Sequence, residues 1–318
     1  MTKIRRAFAI VVCIVVFNSY SAAWFGLGHM AVAYVAYQKL TPENKVRVAK
    51  LLKKNPYYKT KWKALIPAGT PANQRDLMIF MIAATWPDQI KSDPTYNLPD
   101  GPQGGNRPPS EPLASQNIGY SDHHRHKYWH FVDTPFSQDG TILPAIPTPN
   151  AETEIEKLSQ SLASRKSDKL KSYDLVWLLH LVGDVHQPLH CATRVSAGEL
   201  QGDNGGNNVK LCANCKDELH AFWDGLPGDS SNPADAIQVA QKLDPADPLL
   251  AKIDDPAIWV KESFDIARES VYVNPPIGAG DGPFTITPEY SDKAHKIAAE
   301  RVALAGERLA NLINAKLK

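Results

Sequence analysis

Leu178-Leu-His-Leu-Val-Gly-Asp-Val-His-Gln-Pro-Leu-His190 closes an apolar run that begins near Tyr173, and it carries ionisable residues where a core helix ordinarily has none. His180 and Asp184 are four residues apart, so in a helix they share one face about a turn from each other. Pro188 ends or kinks such a helix, which lets His190 swing back toward the same point. Two imidazoles and a carboxylate on a buried face need a partner to offset desolvation, and a metal ion supplies one. Spacing alone therefore has His180, Asp184 and His190 converging on a single metal.

A second His-x-x-x-Asp pair, His220 and Asp224, lies in Leu219-His-Ala-Phe-Trp-Asp224. One such pair is weak, because a His and an Asp a turn apart are commonly a plain hydrogen-bonded pair. Two copies, together with His190 and the apolar stretches around His29 and His130, make a metal centre the better reading. Imidazole and carboxylate suit zinc. No thiolate set competes: Cys212 and Cys215 form one close pair, read as a disulfide, and a zinc ribbon needs a second pair. Cys191 reads as a small buried side chain beside His190.

The chain has 318 residues, of which 43% are hydrophobic and 22% charged, as expected of a globular protein. Its first 23 residues stand apart. Lys3, Arg5 and Arg6 precede an apolar stretch from Ala7 to Phe17 and a small-residue site at Ser21-Ala22-Ala23, the pattern of a secretory signal too short to span a bilayer. Cleavage after Ala23 makes Trp24 the first residue of a secreted or periplasmic protein. It also removes three basic and no acidic residues, taking the formal charge from +1 to −2. No general basic charge then remains to attract a polyanion, so nucleic-acid binding has to be local. No later apolar run is long enough for membrane insertion.

From Trp24 onward the periodicity is helical. A helix opens at His29 and runs to about Leu40. Thr41-Pro42-Glu43 supplies a cap, a first-position proline and a first-turn acid for a second helix to about Lys54. Asn73 to Trp86 reads as a third, with Asp88 just past its end. Ser92 to Tyr120 is a long Pro/Gly/Asn/Ser loop, of a length usually reserved for functional or mobile segments. His123, His124, His126 and His295 read as exposed. Helices follow at Ala151–Ala163, Tyr173–Val185, Ile258–Val271 and Ser291–Leu317, and Val209–Leu211 reads as a brief strand. With polar sites dispersed along the sequence, the expectation is one compact all-α domain, residues 24–318, with long loops; a monomer is the default state.

Trp24, Gly28-His29, Trp86-Pro-Asp88, Trp129-His-Phe-Val-Asp133, His180-x3-Asp184-x5-His190, Gly205-Gly-Asn207 and His220-x3-Asp224 together carry a family likeness. In this order the chain resembles the zinc-dependent single-strand-specific nucleases, the secreted type I nucleases of fungi and plants with bacterial relatives. The resemblance implies an all-α fold with three zinc ions. Asp88, His130 and His180 would hold the first; Trp24, through its terminal amine and carbonyl, and His29 the second, with Asp184 bridging the two; His190, His220 and Asp224 the third. The α-amino group, with a pKa near 8, is a ligand only once cleavage has freed it.

The resemblance further implies in-line hydrolysis of a phosphodiester to 5′-nucleotides, with Lys91 and Asn207 as donors to the transition state and Phe131 as the platform for the scissile base. A 3′-nucleotidase activity belongs to the same expectation. Taken alone, Phe131 would be core, Lys91 a solvated lysine, Gly205-Gly-Asn207 a turn, and His186, off the His180 face, a packing residue. The interval from Asp88 to His130 is longer than in fungal members, which leaves a nearby histidine as an alternative ligand, although the aromatic frame favours His130. The cysteines also differ, so no disulfide carries over, and Asn204 makes one wall of the base pocket more polar. Two other readings compete: a zinc phospholipase C, against which stand Asp224 in place of the usual Glu and the Gly-Gly-Asn turn, and a non-catalytic zinc-binding protein.

Overall fold

Helix Asp168–Asp184 is the axis of the molecule. Ser167 caps it by accepting from the Leu170 N–H, and Asp168 sits in the first turn, where the helix dipole favours an acid. All residues from Lys171 to Asp184 are buried, polar members such as Asp174, His180 and Asp184 included, because several helices enclose the axis. The helix begins five residues before the expected Tyr173, because its first turn is polar and is recognisable only by its cap. It ends at Asp184, ahead of Pro188; a turn and a short 3₁₀ segment, Pro188–Cys191, carry the chain onward.

The architecture was obtained as a computed structural model describing residues 24–100, 107–109, 116, 119–212 and 217–317. The expected leader at 1–23, part of the Pro/Gly loop, and Cys215 of the expected Cys212–Cys215 pair lie outside these residues. Within them the protein is compact and mostly helical, as the periodicity implied. Helices Pro42–Leu52, Ala151–Ala163 and Pro288–Lys316 pack on the axial helix. Thr41 caps the first of these, accepting from Asn44 N–H, and a reciprocal Asn150–Thr153 capping box starts the second. Helix Gly26–Lys39 lies between the C-terminal helix and helices Arg75–Ala83 and Pro233–Ala240. No helix among the described residues is long and apolar enough to cross a membrane.

Several elements differ from expectation. Asn73–Trp86 is not one helix: a 3₁₀ turn at Ala72–Gln74 leads into Arg75–Ala83, and a separate turn, Trp86–Gln89, contains Asp88. Pro87 has no N–H with which to continue the first ladder. Val209–Leu211 is not a strand; Lys210 makes only an isolated bridge with Glu218. A two-stranded parallel pair instead joins Pro135–Ser137 to Thr193–Val195. The core has two clusters, one around the axial helix and a smaller one around Trp223, Tyr272 and Tyr290. They meet at Pro188–Cys191, where Cys191 belongs to the first and Leu189 to the second.

Gly306 sets how closely the first and last helices approach. A Cβ there would lie 2.4 Å from Val35 Cβ and 3.0 Å from Val32 O. Helix propensity favours alanine over glycine by about 1 kcal/mol, but overpacking a filled interface costs about 1–3 kcal/mol. Gly306→Ala should therefore lower the urea midpoint. An unchanged or raised midpoint would contradict this packing.

Candidate metal centre

Four elements converge at the C-terminal end of the axial helix. His29 comes from one turn inside the first helix, Asp88 from the Trp86–Gln89 turn, His130 from the 3₁₀ segment Lys127–His130, and His180 and Asp184 from the axis. His180 Nε2 lies 3.0 Å from His130 Nδ1, 3.5 Å from Asp88 Oδ1 and 3.4 Å from Asp184 Oδ2. His29 Nε2 lies 3.3 Å from Asp184 Oδ1 and 3.9 Å from Asp88 Oδ2, its ring stacked on His180 at 3.7 Å. Trp24 is fully buried and donates its indole N–H to Gly183 O. Gly183 also makes room for His29: a Cβ there would come within 3.0 Å of His29 Nδ1.

A second cluster adjoins the first through Val185–Pro188. His190 Nε2 lies 3.0 Å from His220 Nε2 and 3.9 Å from Asp224 Oδ1, and His220 Nε2 lies 3.4 Å from Asp224 Oδ2. Phe25 N–H donates to Asp224 O at 3.0 Å, tying the segment that follows Trp24 to this cluster as well.

The tautomers test whether a cation fits. His190 Nδ1 is 2.7 Å from His130 O, and His220 Nδ1 is 2.7 Å from Gly205 O. A carbonyl can only accept, so each Nδ1 carries the proton and each Nε2 presents a lone pair. Two lone pairs therefore face each other at 3.0 Å, with Asp224 Oδ2 beside them unpartnered. Protonating either ring would relieve the clash, but burial pushes both imidazoles down, His220 to about 4. A shared divalent cation satisfies all three groups. The 3.0–3.9 Å separations bracket the edge, about 3.4 Å, of a tetrahedron with zinc–ligand bonds of 2.0–2.1 Å.

The first cluster tells the same story less sharply. His180 Nδ1–H donates to Ala84 O at 2.7 Å, leaving Nε2 as an acceptor. Both nitrogens of His29, His130 Nε2 and Asp184 Oδ1 are buried without a hydrogen bond. Burial, the Asp88 charge and Asp224 together push the Asp184 carboxyl well up, against an opposing pull from Lys91. Asp88 goes the other way: burial opposes ionisation, yet Lys91, His180 and His130 hold its carboxyl well below the usual range. The sets that could hold metal are thus His29–Asp88–His180, His130–His180–Asp184 and His190–His220–Asp224. Asp88 and His180 stand between the two partners expected to be separate, His29 and His130.

The remaining singled-out residues lie around these clusters. Lys91, the lysine that alone would read as solvated, is 4% exposed and donates to Asp88 Oδ1 at 2.7 Å. Phe131 is half-buried at the edge of the main core, directly after His130. Asn207 is half-buried and donates its amide to Asn204 O, in a turn whose Gly205 carbonyl holds His220. His186 packs inside, taking a bond from Arg308 Nη1 on Nε2 and donating Nδ1–H to Val182 O. His126, expected exposed, is buried: Asp122 binds its Nε2 at 2.7 Å and its ring stacks on Trp129 at 3.8 Å. Its left-handed backbone, φ 49°, folds it inward.

Sequence reasoning assigned nothing to Gln187, whose amide donates to Asp224 Oδ1 at 2.6 Å while its carbonyl accepts from Leu189 N–H. Its signal was a polar side chain inside the apolar motif. Asp133 also went without a role. It lines a 420 Å³ pocket with Asn204 and Asn208, and burial and Asp203, offset by Arg107, push its carboxyl up to about 7.

Comparison with known proteins bears on this constellation. Residues 24–318 match the S1/P1 nuclease family model. The chain belongs to the S1/P1 nuclease family. Endonuclease 5 of Arabidopsis thaliana is 24% identical over 254 residues, covering 72% of this chain and 75% of that one. Endonuclease 3 of the same plant is 24% identical over 309 residues, covering 92% and 88%. As an S1/P1 nuclease the protein is a phosphodiesterase with a nucleic-acid substrate, from a family that is zinc-dependent in general.

Gly205 is the weak point of the turn that orients His220. Its φ is +60°, and a Cβ would meet Leu189 O at 2.5 Å. Gly205→Ala combines left-handed strain with a backbone clash, together about 2–4 kcal/mol. It should displace the carbonyl that fixes His220, lowering both the melting temperature and the zinc bound per chain. Wild-type zinc content with full activity would contradict that role.

Proposed function

We propose that the chain, matured by cleavage before Trp24 and exported, is a zinc-dependent endonuclease that hydrolyses single-stranded DNA and RNA to 5′-nucleotides and extends to 3′-nucleotidase activity. The observation that carries the metal half of this reading is the pair of unprotonated Nε2 atoms of His190 and His220 facing each other at 3.0 Å beside Asp224. Three ions are proposed: one with Asp88, His130 and His180, one with His29 and the freed amine and carbonyl of Trp24, and one with His190, His220 and Asp224. Asp184 would serve both of the first two. Zinc held there would supply Lewis acidity, lowering the pKa of water toward neutrality so that hydroxide is available, and drawing charge from phosphoryl oxygens.

The protein's own groups complete the chemistry. Nδ1–H bonds to Ala84, His130 and Gly205 carbonyls fix the rings of His180, His190 and His220, so their lone pairs are aimed before substrate arrives. Lys91, buried against Asp88, is a fixed positive charge for a phosphoryl oxygen, and burial makes it count for more than in water. The amide of Asn207, released from Asn204 O, is a second donor. Phe131 gives the base a face to stack on, worth about 1–3 kcal/mol and indifferent to sequence. A base inside a duplex cannot use that face, which supports single-strand preference. Reading His190, His220 and Asp224 as the leaving-group side makes the product a 5′-nucleotide.

The test offers purified zinc-loaded protein denatured DNA, RNA, duplex DNA and a phosphatidylcholine analogue. Release of 5′-mononucleotides from the single strands, slowed on duplex and abolished by a chelator, is expected. Headgroup release with polynucleotides intact would overturn the reading in favour of a phospholipase C.

A further inference from the structure

We propose that the cavity between Tyr57 and Tyr96, with the lysine-rich segment beside it, is a second binding site for the substrate strand, taking a base and its flanking phosphates away from the scissile bond. The proposal rests on the nuclease reading. It begins with charge: between Lys45 and Lys63 there are eight basic residues and no acidic one, in a chain whose formal charge is only +1 overall. Arg47, Lys53 and Lys61 are paired with Asp168, Asp76 and Asp93, whereas Lys50, Lys54, Lys59 and Lys63 are exposed. This is the local basic patch that a chain without general positive charge needs for a polyanion.

The patch adjoins a cavity of about 820 Å³ lined by Tyr57, Lys61, Gln89, Ser92, Tyr96 and Tyr120. That volume falls in the range of small-molecule sites and exceeds what one base requires. The wall is built, not incidental. Asp93 is 9% exposed, and its carboxylate is occupied by Tyr57 OH at 3.1 Å, Lys61 Nζ at 2.8 Å, and Thr95 N–H and Oγ1 at 2.9 and 2.7 Å. Its charge is thereby matched, and it fixes Tyr57 and Lys61 together at the cavity. Trp86 backs the rings of Tyr57, Tyr96 and Tyr120 edge-on at 5.6–5.9 Å.

The cavity and the metal centre share one segment. Gln89 and Ser92 line the cavity, while Asp88 and Lys91, alternating with them, belong to the metal centre. Trp86–Ser92 therefore joins the cavity wall to the metal centre along the chain, and a strand long enough to run from one to the other is the substrate the site would take. Aromatic rings for a base beside lysines for phosphates fit a flexible single strand, whose bases are free to leave one another.

The test compares hydrolysis of oligothymidylates of two and twelve nucleotides by the wild type, Tyr57→Leu, and the double variant Lys59→Gln/Lys63→Gln, whose exposed positions leave the fold undisturbed. Both variants should raise KM for the 12-mer about tenfold, as loss of one stacked base or of two phosphate contacts implies. Their kcat and their KM for the dinucleotide should match wild type. The double variant should also reduce the salt slope of log(1/KM) for the 12-mer by about 1.4, at about 0.7 per lysine for a single strand. Wild-type KM and slope on the 12-mer in the lysine variant would overturn the site, as would an equal loss on both lengths. Either result leaves dinucleotide hydrolysis by the wild type, and with it the nuclease reading, separately measurable.

Discussion

His190 and His220 face each other through Nε2 lone pairs 3.0 Å apart, in a place where neither ring can readily take a proton and no protein donor intervenes among the described residues. That contact is repulsive unless a cation sits in it, and it is held in place by backbone carbonyls that leave the rings no alternative. Much of the surrounding structure can be understood as the means of holding it. The carbonyl that fixes His190 is that of His130, itself part of the first cluster. The carbonyl that fixes His220 belongs to Gly205, where no side chain fits. The first cluster thus supports the second through a main-chain carbonyl, and the two are spaced by Asp184–His190.

The spacer is clamped from behind by a buried ionic network. Arg301 donates to His186 O and Ser263 Oγ, Ser263 donates to Val185 O, and Arg308 reaches His186 Nε2. Glu262 serves both arginines; burial opposes its ionisation, but Arg308 and Arg301 hold its carboxyl below the usual range. Arg301 and Arg308 are 5% and 1% exposed. Such a network contributes little net stability, since desolvation offsets much of the attraction, but it defines geometry closely. Here it fixes the turn that carries Asp184 on one side and Gln187, the partner of Asp224, on the other. The long C-terminal helix therefore supports the metal centre without supplying a group to it.

What was legible in the sequence was what local period encodes. His180/Asp184 and His220/Asp224 are a helical turn apart, and their helices form where the apolar spacing put them. Thr41-Pro42 and Ala151–Ala163 were likewise readable, because caps and amphipathicity are short-range. The one-metal picture drawn from spacing was too compact, because helix Asp168–Asp184 stops four residues before Pro188 and His190 is carried toward His220. His126 was misread since its burial depends on Asp122, Trp129 and a left-handed backbone, none of which has a periodic signature. The parallel pair Pro135–Ser137 and Thr193–Val195 joins three-residue segments far apart in the chain, too short to show alternation. Ala84 is the subtlest omission: a helix that breaks before Pro87 frees the carbonyl that orients His180.

Anomalous diffraction at the zinc absorption edge, from crystals of the chain beginning at Trp24, tests the central claim most directly. The account predicts a strong peak between His190 Nε2, His220 Nε2 and the Asp224 carboxylate, with two more among His29, Asp88, His130, His180 and Asp184. A zinc-supplemented crystal with no peak between His190 and His220, and the two rings still in contact, would contradict it.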